Sequence, residues 1–539
     1  MLSSRKLFYV VVLLVVCACS GGSDNGGSSP TYSIDLDFQR VDSGAPNPFT
    51  VTATIRENGQ LKSGVAADIN IVLGRGTLNT VTEVSSGQYQ FTVTPTQTGE
   101  HEVSLSYGGV TKTETALVVS GVQADWGQPM SVSGLVNTAG YEDGVTITPD
   151  GEYLFVQYGP IYFSGIYLFN LPRVDGGCGG DRLNPDRCTH EWIDNTIGPY
   201  TGPERPGFFD GRISGTTLLH NANSWGIGVE QAPNFAPSTM FYGFKKQADG
   251  SFAEPFYLAF DDVNDGIINA YGLSFMLHGD GTATALYSIN DPSDPDMVDL
   301  DGDGNNDVES LSDVFTSEIT LGQNNNLGTF VASGTPGTPP VRDTYFPSQL
   351  VNFGKTGIDG IAGTQGNPHL YETGGTVRSI WTDDEQDARG PGSDRGELSV
   401  YVQTSGTFPN GTWSKVILPS VINQPSPTDE IQPFYTGSGL YFTRMSDTDL
   451  PEIYYSAYTG THSVADFGVA GNWGTPQAIL LVDSADAVGV GKVTAIGEPT
   501  IANVGGTEYL YFVYGVIRGY DAISGLADIN MQAGYVRKN

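Results

Sequence analysis

Positive charge is what this chain of 539 residues is short of: 25 Lys and Arg stand against 60 Asp and Glu, for a net charge of −35. Such a surface repels nucleic-acid phosphates and anionic lipid headgroups, so no nucleic-acid partner is expected and the acidity reads as a solvated face. Cysteine is scarce too, with four in all. Cys17 and Cys19 lie near the N-terminus, and Cys178 and Cys188 bracket a turn-rich loop. No further pair completes a four-thiolate zinc site, so in an exported chain Cys178 and Cys188 are expected to form a disulfide. Past the N-terminal segment no long apolar stretch repeats with the helical period, which argues against a helical architecture. Catalytic signatures are missing as well. There is no Gly-x-Ser-x-Gly and no His-Glu-x-x-His, Gly354-Lys355-Thr356 lacks the upstream glycine of a phosphate loop, and the six histidines are scattered singly.

What is abundant is glycine, 71 residues, with dense Thr, Ser, Asn and Asp, beside 39% apolar and 11% aromatic residues. Glycine and Asx residues supply turns, and the apolar share fills cores, so the fold class is all-β.

At the N-terminus, Arg5-Lys6 precedes an apolar run from Leu7 to Val16, too short for a mature membrane span and laid out like a secretory leader. Ala18 before Cys19, with Val16 two residues further upstream, resembles the bacterial lipoprotein lipobox. That resemblance implies a signal peptide at 1–18, lipidation of Cys19 and, with Ser20 following, an outer-membrane destination. Cys17 is the alternative, set behind by the bulk of Val16. Residues 19–30, rich in Gly and Ser, form a flexible tether.

Between about 31 and 120, Tyr32, Ile34, Leu36 and Phe38 alternate with polar residues, as do Phe49, Val51, Ala53 and Ile55, and then Tyr89, Phe91 and Val93. Period-two alternation marks half-buried strands of a two-sheet sandwich. The stretch from Gly87 to Gly109 resembles the late strands of immunoglobulin-like repeats of the filamin or invasin type. The resemblance implies a fold, and either a spacer or an adhesion module.

From about 121 to 539 one pattern recurs. Pro433-Phe-Tyr-Thr-Gly-Ser-Gly-Leu-Tyr-Phe442 is echoed from Pro499 to Phe512 and from Pro368 to Trp381, with the prolines 65 and 66 residues apart. Further copies run from Val145 to Phe155, from Leu273 to Tyr287 and, in degenerate form, through Trp225, Met240–Phe244 and Phe252–Pro255. Pro149-Asp150-Gly151-Glu-Tyr-Leu-Phe155 resembles the turn and strand of PD40 or TolB-like relatives of WD40 propellers. The expectation is therefore an immunoglobulin-like β-sandwich followed by a six-bladed β-propeller, with five or seven blades as alternatives. Trp126-Gly-Gln-Pro matches Trp473-Gly-Thr-Pro yet precedes the first blade, so the strand after Trp126 is expected to complete the last blade and close the ring.

Asp299, Asp301, Asp303, Asn305 and Asp307 alternate along a glycine-bearing loop within an insertion near 294–310. Oxygen ligands so spaced can wrap a hard cation, and the segment resembles thrombospondin type 3 loops, which implies a structural Ca2+; a solvated acidic loop is the alternative.

In a propeller the innermost strands line the channel. Their starts carry Glu142 and Asp143, Asn367 and His369, Asp429 and Glu430, and Glu498. Gly497-Glu498-Pro499 and Asp429-Glu430 superficially resemble carboxylate motifs of five-bladed glycoside hydrolases, whose full motif set is not recognisable. The first expectation is a lipid-anchored cell-envelope protein whose propeller binds a protein or glycan without catalysis, with Glu142, Asn367, His369 and Asp429 as ligand contacts. The alternative is a carbohydrate-active hydrolase or lyase using Asp143, Glu430 and Glu498.

Overall fold

The computed structural model describes residues 30–41, 46–137, 141–159, 212–214, 217–219, 240–259, 269–290, 312–322, 349–350, 366–385, 396–425, 428–446, 449–487, 489–520 and 527–539. The leader, Cys19, Cys178, Cys188 and the acidic loop from Asp299 to Asp307 lie outside them. Among the described residues almost every element is a strand, and no helix is long and apolar enough to cross a membrane.

Near the N-terminus two antiparallel layers share a core. One is built on Tyr32–Arg40, Phe49–Glu57 and Gln88–Thr94, the other on Asn70–Leu73, Gly99–Tyr107 and Val110–Val118. The alternation seen in the sequence is the cause: Phe49, Val51, Ala53, Ile55, Tyr89 and Phe91 turn inward and meet Val103 and Leu105.

Among the described residues, the remainder forms five four-stranded antiparallel blades. Their inner strands, in chain order, are Tyr141–Ile147 (blade I), Asn269–Leu277 (II), Gly366–Glu372 (III), Thr428–Tyr435 (IV) and Val493–Val504 (V). Each inner strand packs beside the next, and that of blade V returns to that of blade I, so the ring closes at five. The six-bladed expectation is corrected. Tyr153–Gly159 pairs with Met240–Lys246, which pairs with Phe252–Ala259. The Met240–Phe244 and Phe252–Pro255 parts of the degenerate copy thus belong to the outer half of blade I, while Trp225 lies outside the described residues.

Adjacent blades are glued by aromatic cores. Trp381 of blade III stacks on Tyr435 of blade IV, centroids 4.2 Å apart, above Phe467 and Trp473. Phe155 of blade I meets Phe275 of blade II at 4.6 Å. The Trp381 side chain is fully buried in this contact.

The seam lies where the Trp126 motif places it. Met130 and Ser131 pair with Tyr535 and Gly534, the third strand of blade V. Met130 also pairs with Ala116, so one sheet runs from the N-terminal layers into the last blade. Gly121–Val122 adds a strand to the outer edge of blade IV.

Candidate active site

All five inner strands share a register shift at one level, whatever other shifts they carry. The register shifts between Asp143 and Thr146, Tyr271 and Ser274, Gly366 and His369, Ile431 and Phe434, and Gly497 and Thr500. Within each bulge one residue has a left-handed backbone: Gly144, Gly272, Asn367 (φ 41°), Gln432 (φ 55°) and Glu498 (φ 57°). Three non-glycine residues in this sparsely populated region, each just before a proline, mark strain that the surrounding ring maintains. Bulges re-aim side chains. Here all five converge on one small axial cavity, walled also by His369, Phe434 and the three prolines.

Glu498 is the acid of this cavity. Its backbone N–H donates to Oε1 of Gln432 and to Oγ1 of Thr443, both at 3.0 Å, which fixes the residue in its strained turn. Its carboxyl accepts from Nε2 of Gln432 at 3.0 Å and from the N–H of Val145 at 3.2 Å. Desolvation pushes the carboxyl well above the ordinary range, and the neighbouring Asp143 carboxyl, hydrogen-bonded to it, pushes it further. Burial and the nearby Asp143 carboxyl thus both favour the protonated form of Glu498.

The rest of the ring is a braced frame. Oδ2 of Asp383 accepts from Nδ2 of Asn367 at 2.7 Å and from the N–H of Gln432 at 2.8 Å, tying blade III to blade IV. Buried His369 donates through Nε2 to the Tyr435 carbonyl at 2.9 Å, while its Nδ1 faces Oγ of Ser274 at 3.3 Å. Desolvation lowers its pKa to about 4, so it is neutral. Its ring lies 3.9 Å from Phe434.

Of the expected catalytic residues, Asp143 and Glu498 are brought together and Glu430 is not. Glu430 faces away from the cavity, where its Oε1 accepts from Nε of Arg444 at 2.8 Å and Oε2 from the N–H of Gln424 at 3.1 Å. Arg444 in turn lies over the rings of Phe442 and Tyr454. Of the expected ligand contacts, Asn367 and His369 line the cavity, whereas Glu142 and Asp429 are buried beside it and outside its wall. The bulge is the reason: it brings the residue before each proline to the axis, two positions beyond Glu430. Gln432 and Asp383 were missed as site residues, although the position before Pro433 is the one that Asn367 and Glu498 hold before their own prolines.

No family model matches the chain, and no curated protein matches it. Solved structures do. An α-L-arabinofuranosidase from Lactobacillus brevis shares 10% identity over 55% of this chain and 86% of that one, with a TM-score of 0.32. A Penicillium chrysogenum α-L-arabinanase complexed with arabinobiose shares 10% over 93% and 92%, at 0.29. A family 117 glycoside hydrolase from the marine bacterium Zobellia galactanivorans shares 10% over 76% and 89%, at 0.32. Likeness at these levels assigns no residue a role, so chemistry is read from the cavity itself. The expectation of a non-catalytic binding propeller is corrected in favour of its alternative: Glu498, one of the carboxylates that the alternative named, lies on the cavity wall with its carboxyl held well above the ordinary range by burial.

Proposed function

We propose that the chain is a carbohydrate-active hydrolase whose general acid is Glu498. The observation that carries this reading is the placement of Glu498 on the wall of the axial cavity with Asp143 against it. A raised carboxyl pKa is what a general acid working near neutrality needs. Glu498 would deliver its proton to the bridging oxygen as the glycosidic C–O bond breaks. Water would then add at the anomeric carbon, and the proton it releases would restore the acid. Burial, and after it the nearness of Asp143, favours the protonated form of Glu498. At hydrogen-bond distance Asp143 is too near to serve as the opposing carboxylate, which stands roughly 5–10 Å from the acid. The amides of Asn367 and Gln432 and the ring of Phe434 suit a sugar's hydroxyls and its apolar face.

The test is release of reducing ends from arabinan, arabinoxylan, sialosides and acidic polysaccharides by the purified protein. Glu498→Gln should lower kcat by roughly 10²–10⁴-fold, Asp143→Asn should shift the pH optimum, and Glu430→Gln should leave turnover close to the parent. No release from any of them, or full activity in Glu498→Gln, would overturn the reading.

The Val16–Cys19 motif supports export and attachment through Cys19 to the outer membrane. The paired layers of residues 32–118 around one core support an immunoglobulin-like sandwich. The acidic loop remains a proposed Ca2+ site and Cys178–Cys188 a proposed disulfide.

A further inference from the structure

The first domain meets the last blade at one corner, beside the root of the strand that carries Glu498. Gly99–Tyr107 begins at that corner. There Oγ1 of Thr98 donates to the Asp486 carbonyl at 3.2 Å, and Nη1 of Arg75 donates to the Gly491 carbonyl at 3.1 Å. Gly99 has φ +123°, and a methyl group added to it would stand 1.9 Å from the Gly491 carbonyl oxygen. Residues 483–492 lead directly into the inner strand that holds Glu498, so the corner clamps the root of that strand.

The next residue reaches the neighbouring strand of the same blade, Thr507–Tyr520. Glu100 takes a two-pronged ion pair from Arg518, with one arm at 2.9 Å, and accepts from the Tyr514 hydroxyl at 2.9 Å. On its far side Arg518 reaches Oδ1 of Asn530 at 3.3 Å and lies in the field of Glu142. The pairing of Tyr141 with Met531 brings Glu142 to this spot, and Glu142 directly precedes Asp143. Gly491 donates its N–H to the carbonyl of Ile517, the neighbour of Arg518, so the two arms meet.

We propose that the Thr98–Gly99–Glu100 corner positions the acid of the axial cavity, Glu100 acting through Arg518 on the Asp143 side and Thr98 and Gly99 acting on the strand of Glu498. The first domain is then a working part of the site rather than a spacer. The inference rests on Glu498 being the acid, and Glu100 is a positioning residue that touches no substrate. Loosening the corner admits water to the cavity, and removing the Glu100 charge leaves Arg518 less compensated; both favour the ionised form of Glu498. The other charged or titratable groups around it are Glu142 and Asp143 on blade I, His369 and Asp383 on blade III, and Asp429, Glu430 and Arg444 on blade IV, and none of them is altered.

The experiment needs no substrate: carboxyl-carbon NMR on protein labelled at glutamate, with Glu498→Gln assigning the resonance, followed against pH. Glu100→Gln and Gly99→Ala should each lower the Glu498 midpoint by about half a pH unit or more. Glu57→Gln, in the same domain but away from the corner, should leave it unmoved. A lower melting temperature with an unmoved midpoint in both corner variants would make the corner merely structural and overturn the proposal, as would an equal shift in Glu57→Gln. If Gly99→Ala does not fold, Glu100→Gln alone decides. A shifted midpoint in a protein that cleaves no glycan would sink the hydrolase reading and leave the positioning role standing.

Discussion

Glu430 and His369, both buried within the ring, make opposite demands on pH. Desolvation pushes the Glu430 carboxyl up to about 7 against the pull of Arg444. The folded state therefore holds a proton between about 4.5 and 7 that the unfolded chain has released. The stability this gives is complete below about 4.5 and is lost as pH rises through about 7, by up to roughly 3 kcal/mol. His369, held down to about 4, does the reverse: its contribution is complete above about 6.5 and is lost as pH falls through about 4. Thermal melts from pH 4 to 8 should show Glu430→Gln losing less stability than the parent on the way up, and His369→Gln losing less on the way down. Glu498 and Asn367 were legible as channel residues because each precedes a proline of the 65- and 66-residue repeat. Glu430 was misjudged because acidity was followed rather than position. The residue at the equivalent place is Gln432, which carries no charge to attract notice.

At the scale of the strand, the period-two alternation of residues 32–55 and 89–93 fixes the first domain's faces, and that much was readable directly. Blade number was not, because the insertion from 160 to 239 splits blade I and makes its outer half resemble a separate repeat. The bulges were unreadable too, since a register shift depends on what the neighbouring strand does. The closing strand is short, two residues, yet Trp126 beside it is fully buried, edge-on to Tyr441 at 6.2 Å. Trp126 sits opposite Lys538 at the end of the last blade, where the Gly127 N–H donates to the Arg537 carbonyl and the Asn539 N–H to the Asp125 carbonyl, each at 2.8 Å. Trp126→Ala should cost about 3–5 kcal/mol in denaturant melts, and deletion of residues 121–132 should abolish cooperative unfolding of the ring. A deletion variant that melts cooperatively at the parent temperature would show that closure lies elsewhere.

For the whole molecule, the decisive fact is that the first domain and the ring share a sheet through Met130, with Ala116 on one side and Tyr535 on the other. Arg40 adds to the join by donating to the carbonyls of Trp126, Gln123 and Ala124. Scanning calorimetry should therefore record one transition rather than two, with a van't Hoff enthalpy equal to the calorimetric one. Two separate peaks would mean that the domains melt independently. The shared sheet also has a mechanical meaning. A pull applied through the residues that precede Tyr32 loads the pairing of Tyr32–Arg40 with Phe49–Glu57 first, and the ring's own latch lies beyond it, on the far layer of the sandwich, sheltered until that first layer gives way.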